Sequence, residues 1–274
     1  MSRRVPSYAR VLSWLGMALL FLPLLAVAVS SFNADRHGQS WGGASLEWYR
    51  RLAQDTAILE ATWNTLFVAT LSTLISTVLG TLLAIALHRT PWPRSVRRLF
   101  EGAILLPVVT PDILFAVALV GAFGVLRQIS SIWDPGHLTL VVGHATFQIS
   151  FVVLVVRARL AAIGPEQMEA ARDLYAGTWE GWRRVLLPQI AGSILAGALL
   201  AFTLSLDDLV IASFTTGPGS ATLPIRIYSE VRLGVKPEIN AICTLVIGLI
   251  AVVIVVASLA SKLSSDRGES AAPL

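Results

Sequence analysis

Six apolar runs dominate this chain. They cover about Val11–Phe32, Trp63–Leu87, Gly102–Leu126, Leu138–Val156, Ile190–Phe214 and Ile239–Ser261. A helix needs about 20 apolar residues to cross a bilayer. Inside hydrocarbon no water satisfies the backbone, so each run must hydrogen-bond within itself and be helical. The expected fold class is therefore all-α, a polytopic membrane protein with six transmembrane helices. Charge content agrees: only 14% of the 274 residues are charged, against about a quarter in soluble domains.

The first run follows Arg3, Arg4 and Arg10 and holds Ala26-Val27-Ala28. Such a pattern also suits a signal peptide, but the run exceeds a signal core and is taken as an uncleaved span. With the N-terminus inside, fourteen of the 21 basic residues fall in inner segments. These are Arg3, Arg4 and Arg10; Arg89, Arg94, Arg97 and Arg98; Arg157, Arg159, Arg172, Arg183 and Arg184; Lys262 and Arg267. The outer segments hold Arg36, Arg50, Arg51, Arg127, Arg226, Arg232 and Lys236. The inward bias places both termini in the cytoplasm. The net charge of +4 is spread over loops between spans, which does not suit nucleic acid. One cysteine, Cys243, excludes an intrachain disulfide and sits in an apolar run.

The inner segment Arg157–Gln189 is far more polar than its flanks and reads as two short helices. Gly164 can cap the first, Pro165 suits its first position, and Glu166 complements the helix dipole. Met168, Ala171, Leu174 and Tyr175 fall at helical spacing and form an expected apolar face. Gly177 is the residue expected to take the left-handed conformation that ends this helix. Thr178 is then the expected cap of a second, with Trp179, Trp182 and Leu186 on one side and Arg183 and Arg184 on another. An amphipathic helix in a cytoplasmic loop needs a partner surface. The small Ala170 and Ala171 permit close approach.

Glu169-Ala170-Ala171, with Leu187-Pro188 at the end of the loop, resembles the EAA motif of ATP-binding-cassette (ABC) importer permeases. The resemblance implies a type I ABC importer permease fold and a coupling helix that docks into an ATPase subunit. Glu169 is then expected to make a polar contact with it, and Met168, Leu174 and Tyr175 the apolar one. The family usually carries Gly at the seventh motif position, where this chain has Tyr175. Gly177, two residues on, is expected to supply the break instead.

Three carboxylates stand inside apolar runs. The third run is expected to be irregular, because Pro107 and Pro111 each remove a backbone donor and clash with the preceding turn; Asp112 follows at once, about 15 Å from Glu101 at 1.5 Å per residue. Asp207 and Asp208 are adjacent in the fifth and would point about 100° apart on a helix. Ionisable groups at such depth usually face a cavity or a partner. The bland alternative is structural: holding helix ends, or pairing with Arg226 or Arg232. His144 and Gln148 in the fourth run are expected to hydrogen-bond a neighbouring helix. Thr70, Ser72, Thr73, Ser76, Thr77 and Gly80 in the second suit close helix packing. In the first outer loop, residues Leu46–Leu52 read as a short helix carrying Trp48 and Tyr49. Interface anchoring is one role for these aromatics, together with Trp41, and reception of a binding protein is another.

The passage from Ser205 to Ala241 and the Thr110-Pro111-Asp112-Ile113-Leu114 segment resemble spermidine/putrescine-type permeases. Polyamines are flexible polycations, so a path for them needs spaced carboxylates and aromatic faces for cation–π contact. Asp112, Asp207 and Asp208 would supply the first, and Trp41, Trp48 and Tyr49 the second at the mouth. The resemblance implies a second homologous permease subunit, an ABC ATPase dimer, a soluble substrate-binding protein and surrounding lipid as partners. Other members carry 2-aminoethylphosphonate, iron or thiamine, which stay open as substrates. No phosphate-cradling G-x-x-x-x-G-K-[ST] loop occurs, so no cofactor is expected in this chain and ATP-Mg belongs to the ATPase. No H-E-x-x-H or paired Cys-x-x-Cys occurs either, and Gly38-Gln39-Ser40-Trp41-Gly42 lacks the strand–turn–helix setting of a nucleophile. A membrane-embedded enzyme using His88 or His144 is a different-class alternative, but these histidines sit at different depths. An ion-coupled secondary transporter remains an alternative, although no internal repeat is evident. The expected organisation is residues 1–62 as tail, first span and outer loop, 63–261 as permease core with the 157–189 coupling loop, and 262–274 as an inner tail.

Overall fold

A computed structural model describes residues 7–35, 40–164, 166–234 and 237–248. Arg3, Arg4, Arg36, Gly38, Gln39, Pro165, Lys236, the end of the sixth run and the 262–274 tail lie outside the described residues. The helices are α1 (Ser7–Ser30), α2 (Glu47–Gln54), α3 (Thr56–Arg89), α4 (Arg94–Val109), α5 (Asp112–Arg127), α6 (His137–Ala161), α7 (Glu166–Asp173), α8 (Thr178–Glu180), α9 (Leu187–Leu206), α10 (Val210–Thr215) and α11 (Leu223–Leu233). A twelfth, α12, covers Pro237–Gly248. Among the described residues there is no strand, only an isolated bridge between Asn33 and Ala44. Four helices are long and apolar enough to span, and the pair α4–α5 together makes a fifth candidate.

The chain forms two compact units. The larger, Glu60–Arg226, is organised around α6. Val152, Val153, Val156 and Leu160 on this helix are buried and meet Ala84, Ile85 and Leu87 of α3 and Ile190 and Ala201 of α9. Lipid is as apolar as these side chains, so burial alone gives little drive here; close packing and hydrogen bonds must hold the helices. Gly80 of α3 shows how. A methyl group at Gly80 would come within 2.8 Å of Val152 Cβ, so only glycine admits α6 at this distance. Gly197 of α9 meets Val152 from the other side, where a Cβ would sit 3.5 Å from its Cα. Polar atoms add to this. Ser76 Oγ donates to Gln148 Oε1 (3.1 Å), and Gln148 Nε2 donates to the Ala201 carbonyl (3.0 Å), so Gln148 bonds two neighbouring helices as expected. At the end where α3 and α6 begin, Asn64 Nδ2 donates to the carbonyls of Gly219 and Ala221, and Thr65 Oγ1 accepts from the Leu223 amide.

The third apolar run is irregular at its prolines, as expected, and the fifth is not the continuous helix the sequence suggests. The third is broken at Thr110-Pro111, and α4 and α5 meet at 118°. Pro107 is tolerated inside α4, but Pro111 cannot continue the ladder and becomes the extended residue before α5. The fifth run ends its helix at Leu206, and Asp207–Leu209 separates it from α10. The fifth run also starts earlier than expected: Thr178–Leu206 is one 29-residue helix that contains the presumed second loop helix and passes straight through Pro188. A π-helical stretch at Gly181–Leu186 makes this possible. Pro188 offers no N–H and crowds the preceding turn, and the wider π turn accommodates both effects.

The smaller unit holds residues between Met1 and Leu59 and between Ile227 and Leu274. In it, α1 is a span with no buried face. After α1 the chain turns back through the Asn33–Ala44 bridge. Arg232 of α11 stacks on Tyr228, 4.6 Å from the ring centroid. Arg51 of α2 lies 3.9 Å from Glu238 of α12.

Candidate functional site

The two helix breaks bring the three aspartates into one electrostatic neighbourhood. Asp112 is the first residue of α5, and Asp207 and Asp208 lie between α9 and α10. Phe115 and Ala116 near the start of α5 pack with Ile211 in the first turn of α10, which sets Asp112 on the side of the Asp207–Asp208 pair. Asp112 and Asp207 are exposed, whereas Asp208 is half-buried. The expectation that Asp207 and Asp208 ride one continuous helix does not hold, and the reason is local. Aspartate competes for backbone amides in non-helical conformations. Asp208 does so here: Oδ2 accepts from the Ala212 amide at 2.7 Å and Oδ1 from the Ile211 amide at 3.3 Å. It thus satisfies the open N–H groups at the start of α10. Asp112 uses the same electrostatics at α5, where a carboxylate in the first turn faces the positive end of the dipole.

Behind Asp208 lies a buried polar chain that sequence reasoning saw only in part. His144 of α6, 2% exposed, has Nδ1 2.7 Å from Ser205 Oγ and Nε2 3.3 Å from Asp208 Oδ2. The latter contact is out of line for a full hydrogen bond. Ser205 Oγ in turn lies 3.5 Å from Ser72 Oγ of α3. His144 therefore bonds a neighbouring helix as expected. Its approach to Asp208 had no signal in the sequence, because 64 positions separate the two residues.

At the other end of α9 the loop motif takes a different shape from the one expected. Met168 is buried (8%) in the chain's own core with Leu160, Ile163 and Leu186, its Cε 3.0 Å from where a Cβ on Gly181 would be. It anchors α7 and is not available to a partner. Glu169 and Ala170 are exposed and Ala171 half-buried. Leu174 and Tyr175 do not share the face of Met168; they point outward, with Tyr175 97% exposed. Leu174, six residues on, lies about 120° round the helix from Met168, and at Tyr175 the backbone turns left-handed, with a φ of 58°. The Ala176 amide donates to the Ala171 carbonyl (3.0 Å) and the Tyr175 amide to that of Arg172 (2.9 Å), a Schellman closure. So Tyr175, not Gly177, ends the helix. Gly177, with φ −60° and ψ 159°, is extended and precedes α8, taking the capping place expected of Thr178. Trp179 also faces outward, while Trp182 packs on the core with Leu186.

Trp48 and Tyr49 do not form an open aromatic mouth. Trp48 is buried, its Nε1 donates to the Asn33 carbonyl (2.6 Å), and Arg51 covers its ring at 5.0 Å. Tyr49 Oη shares a 2.6 Å hydrogen bond with Ser31 Oγ, and its ring packs against Phe32 at 5.3 Å. Both plug the turn after α1, where the chain's reversal leaves space that large amphipathic rings fill. Trp41 is exposed. Among the described residues no group of three His, Cys, Asp or Glu side chains is placed to hold a metal ion.

Comparison with known proteins bears on this arrangement. A family described as "Binding-protein-dependent transport system inner membrane component" matches residues 76–267. The putrescine transport system permease protein PotI of Escherichia coli (strain K12) is 39% identical over 245 residues, covering 89% of this chain and 86% of that protein. The spermidine/putrescine transport system permease protein PotC of the same strain is 35% identical over 245 residues, covering 89% and 90%. In fold, the chain is similar to one in the crystal structure of a bacterial ABC transporter involved in import of the acidic polysaccharide alginate. That likeness has a TM-score of 0.73 at 20% identity and covers 94% of both chains.

Proposed function

The chain belongs to the family of binding-protein-dependent transport system inner membrane components, and on that premise we propose that it is the permease subunit of an ABC importer for polyamines. The observation that carries the substrate class is the similarity of nearly the whole chain to two permeases of putrescine and spermidine/putrescine systems. The chain is a multi-pass inner-membrane protein and a non-catalytic subunit of its transporter. Its termini and the α6–α9 connection face the cytoplasm, in keeping with the distribution of basic residues.

Asp112 and Asp207, the two exposed carboxylates, furnish the negative potential along the path, since in an apolar surrounding a carboxylate attracts an ammonium far more strongly than in water. The partners are a second permease chain, an ATPase dimer that holds nucleotide and Mg²⁺, and a soluble binding protein that delivers substrate. Glu169, Ala170, Leu174 and Tyr175 form the docking face for the ATPase, with Ala171 and Gly177 shaping the backbone around it. Met168 ties this face to the base of α9, whose helix from Thr178 to Leu206 is about 40 Å long at 1.5 Å per residue. Closure of the ATPase pair moves α7, α9 moves with it as a packed rod, and the carboxylates at its far end are re-aimed.

Deleting the gene for this chain and following uptake of labelled putrescine and spermidine tests the reading. Uptake should fall to background and return with the wild-type chain. Unchanged polyamine uptake with loss of another solute would replace the substrate class.

A further inference from the structure

We infer that His144 is a positioning residue of the cation site: it holds Asp208 as the cap of α10 and so leaves Asp207 and Asp112 as the carboxylates that meet the substrate. This rests on the polyamine reading above and divides labour within it.

The argument starts from a buried nitrogen. Nε2 of His144 has no hydrogen-bond partner in good alignment among the described residues, and the oxygen it faces, at 3.3 Å, is Asp208 Oδ2. Leaving a ring nitrogen buried and unpaired is costly, so a slight rotation onto Asp208 is favoured. A neutral imidazole has two tautomers. With the proton on Nδ1, the Nε2 lone pair would face a carboxylate lone pair. With the proton on Nε2, a donor faces Asp208, and Ser205 donates its hydroxyl to Nδ1 across 2.7 Å. Ser205 Oγ then keeps a lone pair for Ser72, 3.5 Å away. Only the second arrangement gives each of these atoms a matching neighbour, and it runs in one direction from α3 through α9 and α6 to Asp208.

Asp208 then receives three donors: His144 Nε2 and the amides of Ile211 and Ala212. A carboxylate offers about four acceptor sites, so little remains for a substrate. Asp207 and Asp112 differ. Both are exposed, and among the described residues neither accepts a hydrogen bond or pairs with a cation. An unpaired carboxylate in a membrane-embedded chain is costly, and an ammonium group relieves that cost. The adjacent aspartates, alike in sequence, are therefore unlike in role: one is spent on structure, the other is open.

The test measures uptake of labelled putrescine by vesicles carrying the complete importer, with the amount of assembled complex measured alongside. Asp207→Asn and Asp112→Asn should each raise KM by about tenfold or more, as loss of a charge-assisted contact implies. Asp208→Asn keeps an oxygen for the Ala212 and His144 donors and should shift KM by less than about threefold. His144→Gln places an amide N–H near Nε2 and should keep KM close to wild type. His144→Asn stops near Nδ1 and should raise KM by about tenfold with kcat per complex little changed. If His144→Asn does not accumulate, Ser205→Ala takes its place, because it frees the imidazole tautomer while leaving the ring; raised KM supports the inference and unchanged KM overturns it. An Asp208→Asn variant as damaged as Asp207→Asn makes Asp208 a substrate ligand and overturns it. So does His144→Gln behaving no better than His144→Asn. Wild-type vesicles that take up no putrescine, while the assembled complex takes up another solute, overturn the polyamine reading itself and this inference with it.

Discussion

The two ends of the Thr178–Leu206 helix are held by different chemistry. At its Thr178 end, contacts are apolar: Leu186 and Ile190 pack with Met168 and Leu160, and the polar groups face out. At its Leu206 end, contacts are polar: Ser205 meets His144 and Ser72, and the carboxylates follow at once. The first end buries its anchor and exposes Leu174, Tyr175 and Trp179, large apolar groups that a soluble-facing loop gains nothing from showing. The second buries its hydrogen bonds and exposes charge. On the function proposed above, the first end is covered by a protein surface and the second holds a charged solute. A rigid helix between them links the two demands.

The largest effect should come from charging the covered end. On the proposed docking, Leu174→Asp together with Tyr175→Asp places two carboxylates in the apolar contact with the ATPase. ATPase co-purification should fall by tenfold or more, as for hot-spot losses of about 2 kcal/mol or greater. The chain's abundance should stay near wild type, because both side chains are exposed. Intact co-purification would dissolve the contrast between the ends.

Next in size is the waist of the helix bundle. Gly80→Val forces side-chain atoms into Val152, and overpacking of this kind costs about 1–3 kcal/mol. Thermal unfolding of the detergent-solubilised chain should drop by several degrees. A variant as stable as wild type would mean that α3 and α6 do not approach this closely.

Met168→Ala separates anchoring from docking. It removes a buried side chain from the chain's own core and should cost about 2–3 kcal/mol of stability. At a temperature where the variant remains folded, ATPase affinity should change little, whereas Leu174→Ala should weaken affinity and leave stability alone. Opposite outcomes would restore Met168 to the docking face, where the helical spacing had put it.

That reversal shows what was legible beforehand. Apolar length is a property of each segment alone, so the all-α membrane class and most spans could be read from composition and run length. The EAA tripeptide and the loop's polarity were equally local. What escaped was whatever depends on where the chain turns. Met168 and Tyr175 look like one face at 3.6 residues per turn, but the left-handed backbone at Tyr175 ends that period. Pro188 looked like a loop boundary because a π turn seven to two residues upstream has no sequence signature of its own. The aspartates were visible as anomalies in apolar runs. Their meeting was not, since it depends on a 118° break after Thr110 and a second break after Leu206. Trp48 and Tyr49 read from the sequence as interface or mouth aromatics, and the turn they fill exists only once Asn33 and Ala44 pair.

The smallest expected effect probes that turn residue. Tyr175 occupies the position where related loops usually carry glycine, and it keeps the backbone that glycine favours, with φ at 58°. A non-glycine residue there pays about 1–2 kcal/mol in steric strain. Glycine would remove that strain and lose more chain entropy on folding, which offsets about 0.5–1 kcal/mol. Tyr175→Gly should therefore raise stability by at most about 1.5 kcal/mol, seen as a small upward shift in unfolding temperature. Its docking should weaken, because the exposed ring is gone. Stability up and affinity down would mean the strain is kept for the ring's sake. If both rise, the ring has no partner, and the covered end of α9 is defined by Leu174 and Trp179 without it.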